Sequence, residues 1–497
     1  MPAAFVKTRI VPARNLWLGG ISLLAVAIPL LTVTQPFIDK WSWRQSDVAA
    51  IARNYTAPNS HFAYPRIDWA GGAPGYVGTE FPILPYLAGA SYRILGIHEW
   101  IGRIESLIFF AVSIPFFVAL VRERFGESAT VWALIFYGLA PLTLMTSRCF
   151  IPDMPSLSLS LVGLYFFMRW LQTERWPHFA IAAVALSFSF LIKLPTAIIG
   201  APMACLVLQR FGWGAIRRPG LWVFGALVLV PSAVWYWHAA RAAAQFFPHH
   251  FFGAGGVELM PVSWYLDIVR RIIASSITIV PLGLAAAGLW LARKDRAALP
   301  FYSWLAVIVL FVIVVGYGNR HPWYQLALVP VVAAFAGYAM ARLVAQARKG
   351  VLMKIAVALI ILAFAVQSYS ATRKLLRPTA TDLRGLGLAL KDLTPAGSLI
   401  IVADYGDPTG LYYGERKGWH FTEKNAIYNG HPNTDAEAIA DLEYLRLQGA
   451  THIAFYSGSR WWLNYYSEFT DHLTRTSDLL TSSPSYQVYK LRTSEPR

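Results

Sequence analysis

Residues 16–33 read LWLGGISLLAVAIPLLTV and are followed at 34–55 by TQPFIDKWSWRQSDVAAIARNY. The first segment is an apolar run, and a run of about 20 such residues crosses a bilayer as a helix. Lys7, Arg9 and Arg14 precede it, as basic residues precede a secretory leader. No small-x-small cleavage site follows in Thr32-Val33-Thr34-Gln35-Pro36. The run therefore reads as an uncleaved first transmembrane helix.

The same pattern recurs near 103–121, 128–146, 155–171, 178–194, 197–209, 221–238, 268–291, 300–316, 323–341 and 352–370. Together these predict roughly eleven spans. Composition agrees: 56% of the 497 residues are hydrophobic, 14% are charged, and mean hydropathy is +0.45. A soluble chain carries about 25% charge, so disordered, fibrous and small disulfide-rich classes are excluded. The 19 Trp, 29 Phe and 24 Tyr suit interfacial belts. Cys149 and Cys205 have no disulfide or zinc spacing.

Net charge is +16, but the excess sits in short loops between apolar runs. There it sets orientation and meets anionic headgroups, which makes membrane lipids the partner and argues against nucleic acid. Alternate loops carry Arg122/Arg124, Arg169/Arg175, Arg210/Arg217/Arg218, Arg293/Lys294/Arg296 and Arg342/Arg348/Lys349/Lys354. By the positive-inside rule these face the cytoplasm with the N-terminus. The opposite side receives the long loop 35–100, the segment 148–155, the loop 239–266 and everything after about residue 370.

Beyond residue 377 the chain turns polar. Strand-like runs at 399–402, 452–456 and 486–489 bracket a helical pattern at 435–447. This predicts a membrane domain over 1–377 and a soluble α/β domain over 378–497 on the outer side. Neither a Gly-x-Gly-x-x-Gly nor a P-loop is present.

Ionisable residues gather on that outer side. The first loop carries Arg44, Gln45, Asp47 and Arg53 on a segment whose Val48, Ile51 and Tyr55 recur at helical spacing, which predicts an amphipathic helix on the bilayer surface. It continues through Arg66, Asp68 and the Gly- and Pro-rich stretch to Glu80-Phe81-Pro82. Arg148 and Asp153 sit at the mouth of adjacent spans, and Lys193 ends an apolar helix. Asn319-Arg320-His321-Pro322-Trp323-Tyr324 makes another outer corner. Carboxylates can act as general bases and cations can stabilise a departing phosphate. At a membrane surface the combination suits a lipid-phosphate substrate. A lipid-linked sugar transporter or flippase is the alternative, and it calls for ionisable groups at the bilayer midplane.

This layout resembles the GT-C glycosyltransferases that use polyprenyl-phosphate sugars, especially the protein O-mannosyltransferases and lipid A aminoarabinose transferases. The resemblance covers roughly residues 15 to 345. It rests on Asp47 to Arg53, Glu80-Phe-Pro82 with Gly96 and Arg103, Pro152-Asp153, Leu191-Ile-Lys193, and Arg320-His321-Pro-Trp-Tyr324 with Pro330. It implies a helical bundle with an outer α/β domain, in the bacterial plasma membrane, serving cell-envelope glycan biosynthesis. It further implies inverting transfer of a hexose or pentose from a polyprenyl-phosphate donor to a glycan, lipid or protein acceptor.

On that reading Asp47, Glu80 and Asp153 are the catalytic candidates, with Asp47 first as base. Arg44, Gln45, Arg53, Arg66, Asp68, Arg148, Lys193, Arg320, His321 and Tyr324 are the substrate-binding candidates. A divalent metal ion is a candidate cofactor, with Asp47 and Asp153 as its ligands. One departure stands out. In the lipid A enzymes an acidic pair precedes the Ile-Ala-Arg stretch by two helical turns, where this chain has Arg44 and Gln45, with Asp47 one turn later. Their Lys-Pro-Pro motif aligns with Glu80-Phe81-Pro82. An acid and a base have changed places.

Overall fold

A computed structural model describes residues 13–246, 257–347, 350–424, 427–428 and 430–492. Lys7, Arg9, Arg348 and Lys349 lie outside the described residues. The apolar runs fall on helices, in a chain that crosses the membrane several times. Among the described residues six helices are long and apolar enough to cross a bilayer, or seven if one bent pair counts as a span. Two shorter apolar helices, Asn15–Leu30 and Trp176–Ile192, accompany them.

Three runs depart from simple spans, one of them, at 128–146, by splitting into helices Glu127–Gly138 and Pro141–Thr146. The run at 268–291 is broken: Val262–Ser276 and Ile279–Ala292 meet at 111°. A π-helical turn over Ile272–Ser276 and Thr278 at φ +77° account for the bend, because a β-branched residue in that region cannot continue a helix. The Pro-flanked run at 197–209 is instead extended at both ends by 3₁₀ turns, Leu194–Ile199 and Gly212–Arg217.

The bundle packs through small residues. A Cβ on Gly163 would lie 2.5 Å from Leu186 Cγ, so glycine is what lets helices Asp153–Thr173 and Trp176–Ile192 approach closely. Inside the bundle, near the end that carries the sheet, a charged triad is fully enclosed. Asp39, Arg103 and Arg148 are each 0% exposed, with Asp39 Oδ2 3.1 Å from Arg103 and 3.2 Å from Arg148. Gln45 donates to the other oxygen of Asp39 at 2.8 Å.

After helix Val351–Leu376, residues 379 and 380 donate backbone N–H groups to Ile38 O. Helix Thr381–Leu393 then leads into strands β1 (Leu399–Ala403), β2 (Lys417–His420), β3 (Glu423–Lys424), β4 (Ile427–Tyr428), β5 (His452–Tyr456), β6 (Ser477–Ser482) and β7 (Tyr486–Leu491). The five-stranded sheet has the order β2-β1-β5-β7-β6. β2, β1 and β5 are parallel, while β7 and β6 run antiparallel. β3 and β4 form a separate hairpin.

Helix Ser42–Asn54 is not the surface helix that its spacing predicts. Its side chains at 42, 45–47 and 48–52 are buried in succession, leaving no continuous face for lipid. The reason is tertiary. The helix lies between helix Ile83–Leu95 on one side and the short helix Thr409–Gly414 of the sheet domain on the other.

Candidate functional site

The buried helix Ser42–Asn54 presents Arg44 and Asp47 one turn apart, so their side chains meet. Arg44 Nη1 donates to Asp47 Oδ2 at 2.9 Å, and Arg44 Nη2 reaches Glu80 Oε2 at 3.0 Å. Glu80 ends the Gly-rich part of the loop, where Thr79 Oγ1 donates to it at 2.7 Å. Its other oxygen takes Lys193 Nζ at 2.9 Å. Lys193 leaves its helix in extended backbone just before Leu194 and Pro195, and its Nζ lies 3.9 Å from Asp153 Oδ1. The result is a chain of alternating charge, Asp47–Arg44–Glu80–Lys193–Asp153, enclosed at the sheet-bearing end of the bundle.

Aromatic groups close around it. Lys193 Nζ stands 5.0 Å over the Tyr324 ring. His321 stacks on Trp323 at 4.4 Å and lies 5.4 Å from Trp43. Trp69 Nε1 donates to the remaining oxygen of Asp47 at 3.1 Å.

The electrostatics favour a charged Glu80. Burial alone would raise the Glu80 carboxyl, but Lys193 and Arg44 outweigh it and hold it well below the usual carboxylate range. Burial, Arg320, Arg44 and Lys193 together push the His321 imidazole down to about 3. His321 is therefore a neutral ring at working pH.

Space flanks the chain of charges on both sides. A small cavity is lined by Asp153, Lys193, Thr196, Trp323 and Tyr324. A second, of similar size, is lined by Arg44, Val48, Glu80, Phe81 and Pro152. A larger apolar groove runs along Ile83, Phe109, Leu159, Val184, Phe188 and Ile192. Ile192 immediately precedes Lys193, so the groove leads to the charged cluster.

Six of the sequence candidates lie elsewhere. Arg148 and Gln45 are committed to Asp39 inside the bundle, where two arginines share one buried acid, so neither faces the cavities. Arg53 pairs with Asp68 and donates to Tyr412 O of the sheet domain at 2.6 Å. Arg66 is held by Asn59 O and lies over the Tyr76 ring. Arg320 turns to the Tyr317 ring, 4.6 Å away. Asp47, Arg44, Glu80, Asp153, Lys193, Tyr324 and His321 are the ones brought together.

Residues 79–237, which include Glu80, Asp153 and Lys193, match the family described as dolichyl-phosphate-mannose-protein mannosyltransferase. The fold is that of ArnT from Cupriavidus metallidurans in the apo state, with a TM-score of 0.70, 16% identity, and 96% of this chain and 98% of that one covered. The same protein bound to undecaprenyl phosphate gives a TM-score of 0.68, again at 16% identity with 96% and 98% coverage. The chain has the GT-C fold. An oligosaccharyltransferase from Archaeoglobus fulgidus, in complex with Zn and sulfate, shares it at a TM-score of 0.61 and 12% identity, over 90% of this chain and 69% of that one. An uncharacterized protein of Aquifex aeolicus is 25% identical over 242 residues, which is 46% of this chain and 53% of that relative. The match thus spans about half the length of that relative.

Within the GT-C fold the structure adds residues that the sequence did not single out. Trp69 and Trp43 are aromatic residues in an aromatic-rich loop, and only the folded chain shows what they touch. Asp39 has its partners, Arg103 and Arg148, 64 and 109 residues further along the chain, so sequence alone does not mark it. For a metal ion the fit is poor: among the described residues no group of three or more His, Cys, Asp or Glu side chains is arranged to hold one. Asp47 is occupied by Arg44 and Trp69, and the Asp153 carboxylate has Lys193 as its neighbour.

Proposed function

We propose that this protein is an inverting glycosyltransferase. It moves a sugar from a polyprenyl-phosphate donor to a hydroxyl or amine of an envelope acceptor, at the outer face of the bacterial plasma membrane. One observation carries the reading: a largely buried chain of alternating charges with a cavity on either side, and an apolar groove whose lining includes Ile192, the residue before Lys193. The groove takes the isoprenoid tail, and Lys193 and Arg44 meet the phosphate at its head. The membrane domain over 1–377 supplies this chemistry, with the C-terminal domain over 378–497 packed on it.

Asp47 accepts the proton of the acceptor nucleophile as that atom attacks the anomeric carbon. The anomeric C–O bond breaks, and polyprenyl phosphate departs with the bonding pair, its charge stabilised by Lys193 and Arg44. Glu80 is unsuited to be the base, since a carboxyl held so far down has little affinity for a proton near neutral pH. Its role is to hold the two cations in place until phosphate arrives. Asp153, facing the Lys193 cavity, orients the substrate there.

The test is to incubate the purified protein with a panel of polyprenyl-phosphate sugars and crude envelope acceptors, following release of free polyprenyl phosphate. Acceptor-dependent release that falls by about 10²–10⁴-fold in Asp47→Asn, with donor binding retained, supports the assignment. Loss in Glu80→Gln with Asp47→Asn near normal reverses the base. No release from any bound donor would make the protein a carrier of lipid-linked sugar instead.

A further inference from the structure

The sheet domain reaches Asp47 through one side chain. β2 is an edge strand, and the first loop docks on it: Gly71 N donates to Gly418 O at 2.7 Å, and Gly418 N donates to Asp68 O at 3.0 Å. Between these two contacts lie Trp69 and Ala70. The Trp69 ring lies 5.0 Å from that of His420, the last residue of β2, and its Nε1 donates to Asp47 Oδ1 at 3.1 Å. His420 is itself fixed, with Nδ1 2.8 Å from Asp404 Oδ1 at the end of β1. Further contacts bind the same domain to the helix that carries Asp47: Ser42 Oγ to Asp407 Oδ2 at 2.9 Å, and Ser46 Oγ to Thr409 Oγ1 at 3.1 Å.

Asp47 has two oxygens, and each has a fixed donor. Arg44 takes the one that faces Glu80; Trp69 takes the other. A carboxylate held from both sides has one orientation, which is what a base needs to meet a bound nucleophile. The indole N–H is a donor only, so it supports the carboxylate without competing for the proton.

We infer that Trp69 is a positioning residue for Asp47, and that the C-terminal sheet domain completes the reaction site by holding Trp69 in register through β2 and His420. This rests on the transferase reading for its kinetic consequence, though not for the contact itself.

Two measurements test it on the full-length protein. Trp69→Phe keeps a ring against His420 and removes the N–H. It lowers kcat roughly 10–100-fold, the scale of a hydrogen bond to a charged group, with donor KM and melting temperature unchanged. His420→Gln, which retains a donor for Asp404 but loses the ring, lowers kcat in the same direction. An unchanged kcat in Trp69→Phe, or a loss confined to donor KM or to stability, overturns the proposal. Independently of activity, 5-fluorotryptophan labelling gives a ¹⁹F resonance assigned to Trp69 by its absence in Trp69→Phe. That resonance shifts in Asp47→Asn if the two groups touch; a resonance that stays put overturns the contact. If the wild type releases no polyprenyl phosphate, the transferase reading fails while the ¹⁹F result still decides the contact.

Discussion

Arg44 and Glu80 form an ion pair across 36 residues of sequence, with one guanidinium nitrogen 3.1 and 3.0 Å from the two carboxylate oxygens. On the resemblance to the lipid A aminoarabinose transferases, these are the two positions at which an acid and a base have changed places. An isolated change at either would leave a partly buried charge facing its like. Exchange at both keeps the pair, so the two substitutions make physical sense only together.

Charge reversal follows directly. Glu80→Lys alone places a third cation between Arg44 and Lys193, which costs about 1–3 kcal/mol, less than for a fully enclosed pair because both side chains keep some contact with water. Arg44→Glu combined with Glu80→Lys restores alternation and recovers most of that loss. Thermal unfolding in detergent of the two single variants and the double variant measures the coupling.

The triad around Asp39 should behave as structure. Asp39→Asn leaves Arg103 and Arg148 enclosed without a counter-charge and destabilises the protein by about 3–5 kcal/mol. The affinity of the remaining folded protein for a polyprenyl-phosphate donor stays at the wild-type value, as measured by titration. A variant that folds normally but loses donor affinity would move Arg148 back among the substrate-binding residues.

His321 gives a pH prediction with a definite sign. Its folded value is depressed to about 3 from an ordinary 6.5, so below 6.5 the unfolded chain binds a proton that the folded chain refuses. Stability therefore falls as pH drops from about 6.5 towards about 3. His321→Asn flattens this part of the dependence of melting temperature on pH. The activity profile between pH 5 and 8 keeps its shape in the variant, because the wild-type ring is already neutral there.

Gly418 tests the docking of the first loop. A Cβ at this position would lie 1.7 Å from Ile400 O, and one at Gly71, at φ +60°, would lie 2.1 Å from the Trp419 ring. Gly418→Ala therefore pushes β2 away from β1 and loosens its pairing with the loop, at a cost of about 1–3 kcal/mol. Limited proteolysis detects this as faster cutting between residues 376 and 381, and polyprenyl phosphate release falls in parallel.

Much of the fold was legible because a membrane segment declares itself by local composition. The runs at 103–121 and 352–370 needed no tertiary information. The same holds for the strand at 399–402 and the helix at 435–447, whose patterns are local. Part of the site was legible for a related reason: Asp153 and Lys193 are costly residues beside apolar segments, and cost marks purpose. Partner choice was not legible. Arg53 and Arg148 look as available as Arg44 in sequence, yet the fold commits one to Asp68 and the other to Asp39. Helix Ser42–Asn54 was misread as lipid-facing because part of what covers it, the helix Thr409–Gly414, is made several hundred residues later.

That distance sets an order of events during synthesis. The chain grows from the N-terminus, and domains fold as their residues emerge. The loop bearing Trp69 is made early, and its docking strand, at 417–420, follows it by several hundred residues. A nascent chain can insert the spans that lie between them and still lack the edge against which the loop settles. Maturation of the site thus waits for that strand, and an inserted intermediate without it lacks the contact that fixes Trp69.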